Sequence, residues 1–255
     1  MNRHEPGSRA QRVSAGDLAS IEALEIAAAT CQLCRLCRDR TQVVTGSGPA
    51  DADVLVIAEA PGYHEDRSGQ LLAGRPGELF DTLLADAGLV REEVFLTSVV
   101  KCRPPGGRTP FPDEVDACEG WLFREIALVQ PKIVVTLGSL ALRLVTGRHE
   151  LIRDAHGKMI HTNLQGRDLV VWPLYHPAAA LHVTSLVTQL RADARALGVL
   201  LQGARAETGS RPRPSQSPVD PEVPATASKP ATEPSAKPAG TEPEPPVDTQ
   251  LTMDM

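Results

Sequence analysis

A chain of 255 residues with 42% apolar and 23% charged side chains has the make-up of a globular protein, and its formal net charge of −6 supplies no general attraction to nucleic acid. Part of that negative excess lies in the C-terminal tail, so local charge matters more than the total. No run approaches the ~20 apolar residues of a membrane span, and the opening MNRHEPGSRAQRVSAGD lacks the apolar stretch of a secretory signal. No membrane association is expected. The expected location is the reducing cytoplasm, where cysteines bind metal or do redox chemistry more often than they form disulfides.

Residues 1–16 are polar and expected to be flexible. Leu18, Ile21, Leu24 and Ile26 then predict a helix from Asp17 to Thr30 that delivers the chain to Cys31. Cys34 follows after a two-residue spacer, which lets one turn present two sulfurs on the same side, and Cys37 is left as a spare small side chain. Val54 to Ala58 is a continuous apolar strand of the kind buried on both faces. Past a loop with Ser68, Gly69 and Gly74, a helix is predicted from Gly77 to Leu89 with Leu79, Phe80, Leu83 and Leu84 on one face. Val94 to Thr97 is the second strand. Lys101, Arg103 and Arg108 then surround Cys102, interleaved with Pro104, Pro105, Gly106 and Gly107, which makes a rigid basic loop; an ordinary solvated loop is the competing reading. Asp113 to Val129 is a helix with acidic residues in its first turn, and it carries Cys118. Ile133 to Leu137 is a third strand, followed by Gly138 and a helix through Leu140 and Leu144; Leu169 to Leu174 is a fourth, and Ala178 to Leu201 is helical. From about Arg211 the chain is Pro, Glu, Thr, Ala and Ser with almost no large apolar residues, too little to offset ordering entropy. Residues 206–255 are therefore expected to be a disordered tail that recruits partner proteins, and 17–205 a single domain, monomeric by default.

The alternation of strand and helix predicts an α/β fold: a mostly parallel four-stranded sheet covered by helices on both faces, a three-layer α/β/α sandwich. Ligands bind such sheets beyond the carboxyl ends of the strands. Those positions hold Glu59, Ser98 with Lys101, Gly138 with Ser139, and His176. Singly each has an ordinary explanation, since Ala60-Pro61-Gly62 serves as a turn and His176-Pro177 as a helix start. Together, at four strand ends of one sheet beside a Gly-rich loop, they define a pocket. Cys31, Cys34, Cys102 and Cys118 are candidate metal ligands, with zinc and a 4Fe-4S cluster undecided by spacing.

The order Cys31-x2-Cys34, Glu59-Ala60-Pro61-Gly62-x2-Glu65-Asp66, Gly74-x2-Gly77, Val100-Lys101-Cys102-Arg103-Pro104-Pro105, Cys118 and Tyr175-His176-Pro177 resembles the family 4 uracil-DNA glycosylases from about residue 29 to about residue 200. The resemblance implies a 4Fe-4S cluster on the four cysteines and hydrolytic removal of uracil from DNA in base-excision repair. It further implies that His176 stabilises the leaving base at its O2 and that Glu59 positions water and counters charge on the sugar. Ala60 and Gly62 let the backbone approach the base. Lys101, Arg103 and Arg108 become candidates for phosphate contact, which positions without reading sequence.

The chain departs from the family at two base-recognition positions. Leu72 stands where members carry the Phe on which uracil stacks, and Ser98 where they carry the Asn that reads the uracil edge. Ala58 also replaces the usual Gly, and His182 a frequent Arg. The alternative to a glycosylase is thus a catalytically weak DNA-damage-binding protein on the same scaffold. An electron-transfer oxidoreductase is disfavoured, because no Gly-x-Gly-x2-Gly fingerprint follows any strand. Base–aromatic stacking is worth roughly 1–3 kcal/mol, so Leu72→Phe with Ser98→Asn is expected to raise the rate of uracil excision by about one to two powers of ten in an oligonucleotide assay. No gain means that the pocket reads a different base or has been repacked.

Overall fold

The computed structural model describes residues 18–207 other than His182. The expected flexible segment 1–16 and all of the expected tail beyond Glu207 lie outside the described residues, as does His182. The strands are β1 (Val54–Ala58), β2 (Val94–Ser98), β3 (Ile133–Leu137), β4 (Ile160–Leu164) and β5 (Arg167–Leu174), and the sheet order is β2-β1-β3-β5-β4. The helices are α1 (Ile21–Ala29), α2 (Tyr63–Ser68), α3 (Gly74–Asp86), α4 (Pro112–Val129), α5 (Ser139–Thr146), α6 (Ile152–Ala155), α7 (Pro177–Ala180) and α8 (Thr184–Glu207).

Every residue of β1, β2 and β3 is buried because both faces of the sheet are covered. Alternate side chains feed two cores. Leu55, Ile57, Phe95, Val134 and Val171 pack with residues of α1, α4 and α5, while Val54, Val56, Leu96, Val135 and Trp172 pack with residues of α3 and α8. This is the expected α/β/α sandwich with five strands in place of four. The extra strand, β4, is antiparallel to β5 and closes one edge. Its sequence, Ile-His-Thr-Asn-Leu, buries only Ile160 fully, so it has none of the continuous apolar character of the inner strands. A two-residue turn, Gln165 at φ 52° and Gly166 at φ 83°, joins it to β5 as a hairpin.

The helix predicted from Ala178 to Leu201 is divided into α7 and α8, and two other helices begin three or more residues from their predicted starts. α3 starts at Gly74, three residues before Gly77, because Pro76 sits in its first turn where a missing N–H costs nothing. Ser20 caps α1 by accepting from the Ala23 N–H at 3.2 Å, which moves that start inward from Asp17.

The pairing fixes what lies beside what. β1 is parallel to both β2 and β3, with Ala58 opposite Ser98, and β3 is parallel to β5, with Leu137 opposite Leu174. The connection from β1 runs outward to β2, and the next crosses back to β3 on the other side of β1. The strand order therefore reverses at β1 and β3, and sheets of this kind bind their ligands at the carboxyl ends beside such a reversal. Glu59, Gly138 and the Tyr175-His176 pair all emerge along that edge.

Candidate active site

His176 stands at the end of β5 as the N-cap of α7, and its Nδ1 accepts the Ala178 N–H at 3.2 Å. That bond leaves the proton on Nε2, which has no hydrogen-bond partner among the described residues. Burial lowers its pKa from 6.5 to about 4, so the ring is neutral at pH 7. The Cβ of His176 lies 3.9 Å from the position a Cβ would take on Gly138, which brings the ends of β5 and β3 into contact.

Glu59 leaves β1 partly buried. Burial raises its pKa, and a hydrogen bond from the Thr109 hydroxyl opposes that shift by favouring the carboxylate. The loop after β2 is sewn to it, for Val99 N–H donates to Ala58 O at 2.9 Å and Val100 N–H to Glu59 O at 3.3 Å. Ala60 packs against the core beneath, and Gly62 caps α2. Glu65 accepts from the Gly62 N–H and, at 3.3 Å, from the Ala73 N–H, so one carboxylate joins the turn after β1 to the loop that contains Leu72.

Leu72 is buried at 3% exposure and lies at φ 51°, a left-handed conformation that costs a non-glycine residue roughly 1–2 kcal/mol. Arg91 holds it there. Its guanidinium donates to the carbonyls of Leu71 and Leu72 at 3.2 Å and of Gly77 at 3.4 Å, pairs with Asp81 at 2.8 Å and lies 5.3 Å from the centre of the Phe80 ring. Gly77 is required by the same packing, since a Cβ there would sit 1.9 Å from Leu72 O. Ser98 is fully buried, and its hydroxyl donates to Val100 O at 2.9 Å. That hydroxyl is committed to the backbone and is not free to read a base.

Lys101 corrects an expectation. It is 1% exposed and cannot reach a phosphate. Its Nζ donates to Glu125 at 2.7 Å, Thr97 Oγ1 at 2.6 Å and Ser98 O at 2.8 Å. Glu125 also accepts from the Thr97 hydroxyl at 2.6 Å and the Gly46 N–H at 2.9 Å. The other two basic residues are partly exposed and paired. Arg103 Nε lies 3.5 Å from Asp66, which also accepts from the Thr41 N–H at 2.9 and 3.0 Å. Arg108 forms a fork on Glu114 at 2.7 and 2.8 Å, which with Arg35 holds that carboxyl below its usual range against the effect of burial.

All five cysteines are free, with Cys102 and Cys118 buried. The thiols of Cys31, Cys34, Cys102 and Cys118 lie near enough to act on one another electrostatically, and the spare Cys37 acts on Cys34. Burial raises the thiols of Cys34 and Cys102, and Cys118 to about 12, so binding a metal here must displace protons. N–H groups already point at two of the sulfurs: Lys101 N–H at Cys118 and Arg40 Nη1 at Cys102, both at 3.3 Å. Among the described residues no group of three or more His, Cys, Asp or Glu is arranged to hold a single metal ion.

Thr109, Arg91, Glu114 and Glu125 carry parts of this site that the sequence did not announce. Glu114 and Glu125 had a usable signal, because both fall on the buried stripe of α4 with Val115, Cys118, Leu122 and Ile126. A carboxylate on such a stripe requires a buried cation or donors.

The profile of the uracil DNA glycosylase superfamily matches residues 45–197. The chain belongs to that superfamily. Within it, the chain stands with the type-4 uracil-DNA glycosylases: it is 39% identical over 170 residues to that of Saccharolobus solfataricus, covering 65% of this chain and 79% of the relative. It is 35% identical over 175 residues to that of Archaeoglobus fulgidus, covering 67% and 88%, and 39% identical over 152 residues to that of Thermotoga maritima, covering 59% and 78%.

Lys101→Met leaves Glu125 buried without its cation and is expected to destabilise the fold by about 3–5 kcal/mol in urea unfolding, with much of the loss recovered in Lys101→Met/Glu125→Leu. The pKa of His176 is depressed in the folded state, so between about pH 6.5 and 4 the unfolded chain binds the extra proton. Stability is fully present above pH 6.5 and falls with pH through that window by roughly 3 kcal/mol. Denaturant titrations at several pH values are expected to show this slope, reduced in His176→Asn.

Proposed function

We propose that this protein is a DNA glycosylase that turns uracil out of the strand and hydrolyses its N-glycosidic bond, the first step of base-excision repair. Membership of the superfamily and the activity named for its type-4 relatives support this reading, and they give no support to the weak-binder alternative. The observation that carries it is the neutral His176, whose tautomer is fixed by Ala178.

When the bond from C1′ to the base breaks, its electron pair leaves with uracil and negative charge collects on O2. A donor set in place beforehand stabilises that charge without reorganising. The Nε2–H of His176 fills this role while remaining a neutral imidazole. Glu59, whose carboxylate form the Thr109 hydrogen bond favours against the effect of burial, faces the positive charge on the sugar and accepts the proton of the water that adds to C1′. Ala60 and Gly62 form the close backbone wall of the pocket, and Leu72 supplies an apolar floor in place of an aromatic one. Arg103 and Arg108 are retained as phosphate contacts, Lys101 is not.

Cys31, Cys34, Cys102 and Cys118 are assigned to a 4Fe-4S cluster. The mutual electrostatic action of the four thiols and the N–H···S bonds to two of them support the cluster, with zinc as the alternative occupant of a four-cysteine set. Bound there, the cluster ties the N-terminal segment to the loop after β2 and breaks no bond. No helix among the described residues is long and apolar enough to cross a membrane. Action on DNA as a cytoplasmic monomer, with partner proteins recruited by the Pro-rich tail, completes the proposal.

The full chain, incubated with single- and double-stranded oligonucleotides holding uracil, hypoxanthine or 5-hydroxymethyluracil and then treated with alkali, is expected to yield breaks at uracil. His176→Ala is expected to lower the rate by about 10²–10³. No breaks with any base at stoichiometric enzyme would overturn the proposal. A brown preparation with broad absorbance at about 400 nm, lost in Cys102→Ser, is expected for the cluster; a colourless protein with bound zinc sinks that assignment.

A further inference from the structure

The chain is poor in aromatic residues, with four Phe, two Tyr and two Trp. Six of the eight are buried or partly buried, as the core requires, and only Tyr63 and Phe111 are exposed, at 56% and 44%. Both stand at helix starts close in the chain to groups around Glu59: Tyr63 opens α2 directly after its N-cap Gly62, and Phe111 is the N-cap of α4, two residues after Thr109, whose hydroxyl bonds the Glu59 carboxylate.

Each ring is held by arginines. The guanidinium carbons of Arg67 and Arg103 lie 5.5 and 5.7 Å from the centre of the Tyr63 ring, and Arg67 Nη1 donates to the Tyr63 hydroxyl at 3.2 Å. Those of Arg108 and Arg35 lie 3.8 and 5.5 Å from the centre of Phe111. The carboxylates that orient Arg103 and Arg108 are Asp66 and Glu114, at 1% and 0% exposure. Those negative charges are sequestered beneath the surface while the guanidiniums reach it; among the carboxylates that pair with Arg35, Arg103 and Arg108, Asp113 is the exposed one. An exposed ring backed by a fixed guanidinium and flanked by cations is how proteins hold the bases and phosphates of single strands. Arg103 and Arg108 are five residues apart, at most about 18 Å of backbone, so the two rings are within reach of one short stretch of strand.

We propose that Tyr63 and Phe111 are stacking platforms for unpaired bases neighbouring the nucleotide held at Glu59, making this face a binding site for single-stranded nucleic acid. The location of the face rests on the glycosylase reading, but stacking does not depend on uracil being present. Binding is therefore tested with a fluorescein-labelled, uracil-free oligothymidylate and the full chain, followed by fluorescence anisotropy.

Tyr63→Ala and Phe111→Ala are each expected to raise Kd by about tenfold, with a larger rise in the double variant. Tyr63→Phe and Phe111→Tyr, which keep the rings, are expected to bind as the parent does, and the thermal unfolding midpoint of every variant is expected to stay within a few degrees. A double alanine variant that binds the strand with unchanged Kd overturns the proposal, as does a parent chain that excises uracil from duplex yet does not bind the single strand. A parent that binds the strand through these rings but excises no base leaves the platforms standing and removes the glycosylase reading instead.

Discussion

The ammonium of Lys101 is the point from which the carboxyl edge of the sheet is set out. Every polar group of the residue is used: Nζ on Glu125, Thr97 and Ser98 O, the N–H on Cys118, and the carbonyl on the Val44 N–H. Four parts of the chain are thereby held in one register, namely β2, α4, the segment before β1 and the loop that begins with Cys102. A buried ion pair contributes little net stability compared with apolar residues of the same volume. What this one supplies is position, and the thiol of Cys102 and the backbone sewn to Glu59 inherit it.

The fold was legible where one physical rule acted alone. Doubly covered strands read as continuous apolar runs, and β1 and β3 begin and end where the sequence placed them. β4 was missed because it is covered on one side only and its five residues offer too few apolar positions to stand out. At the site, His176 and Glu59 were visible because strand ends are privileged positions whatever the side chain does. Lys101 was misread for a matching reason: a lysine among arginines in a Pro-Gly loop reads as solvated, and the partner that buries it stands on a helix 24 residues later. Such long-range pairing leaves no local pattern. Its trace lay on α4, where Glu114 and Glu125 interrupt an otherwise apolar stripe.

Leu72 and Ser98 illustrate how a substitution is absorbed. Leu72 keeps a backbone conformation unfavourable to its side chain because Arg91 and Glu65 hold the loop from both ends. The loop's path therefore does not depend on the identity of that side chain. Ser98 turns its hydroxyl to the nearest carbonyl, as a short side chain in a dry site must. The path of the Leu72 loop is thus set by backbone clamps, and the side chains laid upon it can change separately.

The β2 side of the sheet is closed by a small device. Ser47 exchanges hydrogen bonds of 2.9 and 2.8 Å with Leu96, the one antiparallel bridge that the segment before β1 makes to β2. With Val44 on Lys101 O and Gly46 on Glu125, it lays that segment along the border of the sheet. Without it, Val-Phe-Leu-Thr-Ser would present an unpaired row of amides and carbonyls, a template on which another chain could add a strand. The stretch that leads from the cysteine pair to β1 therefore also works as a guard against aggregation. Anything that loosens its anchorage endangers solubility before it touches chemistry.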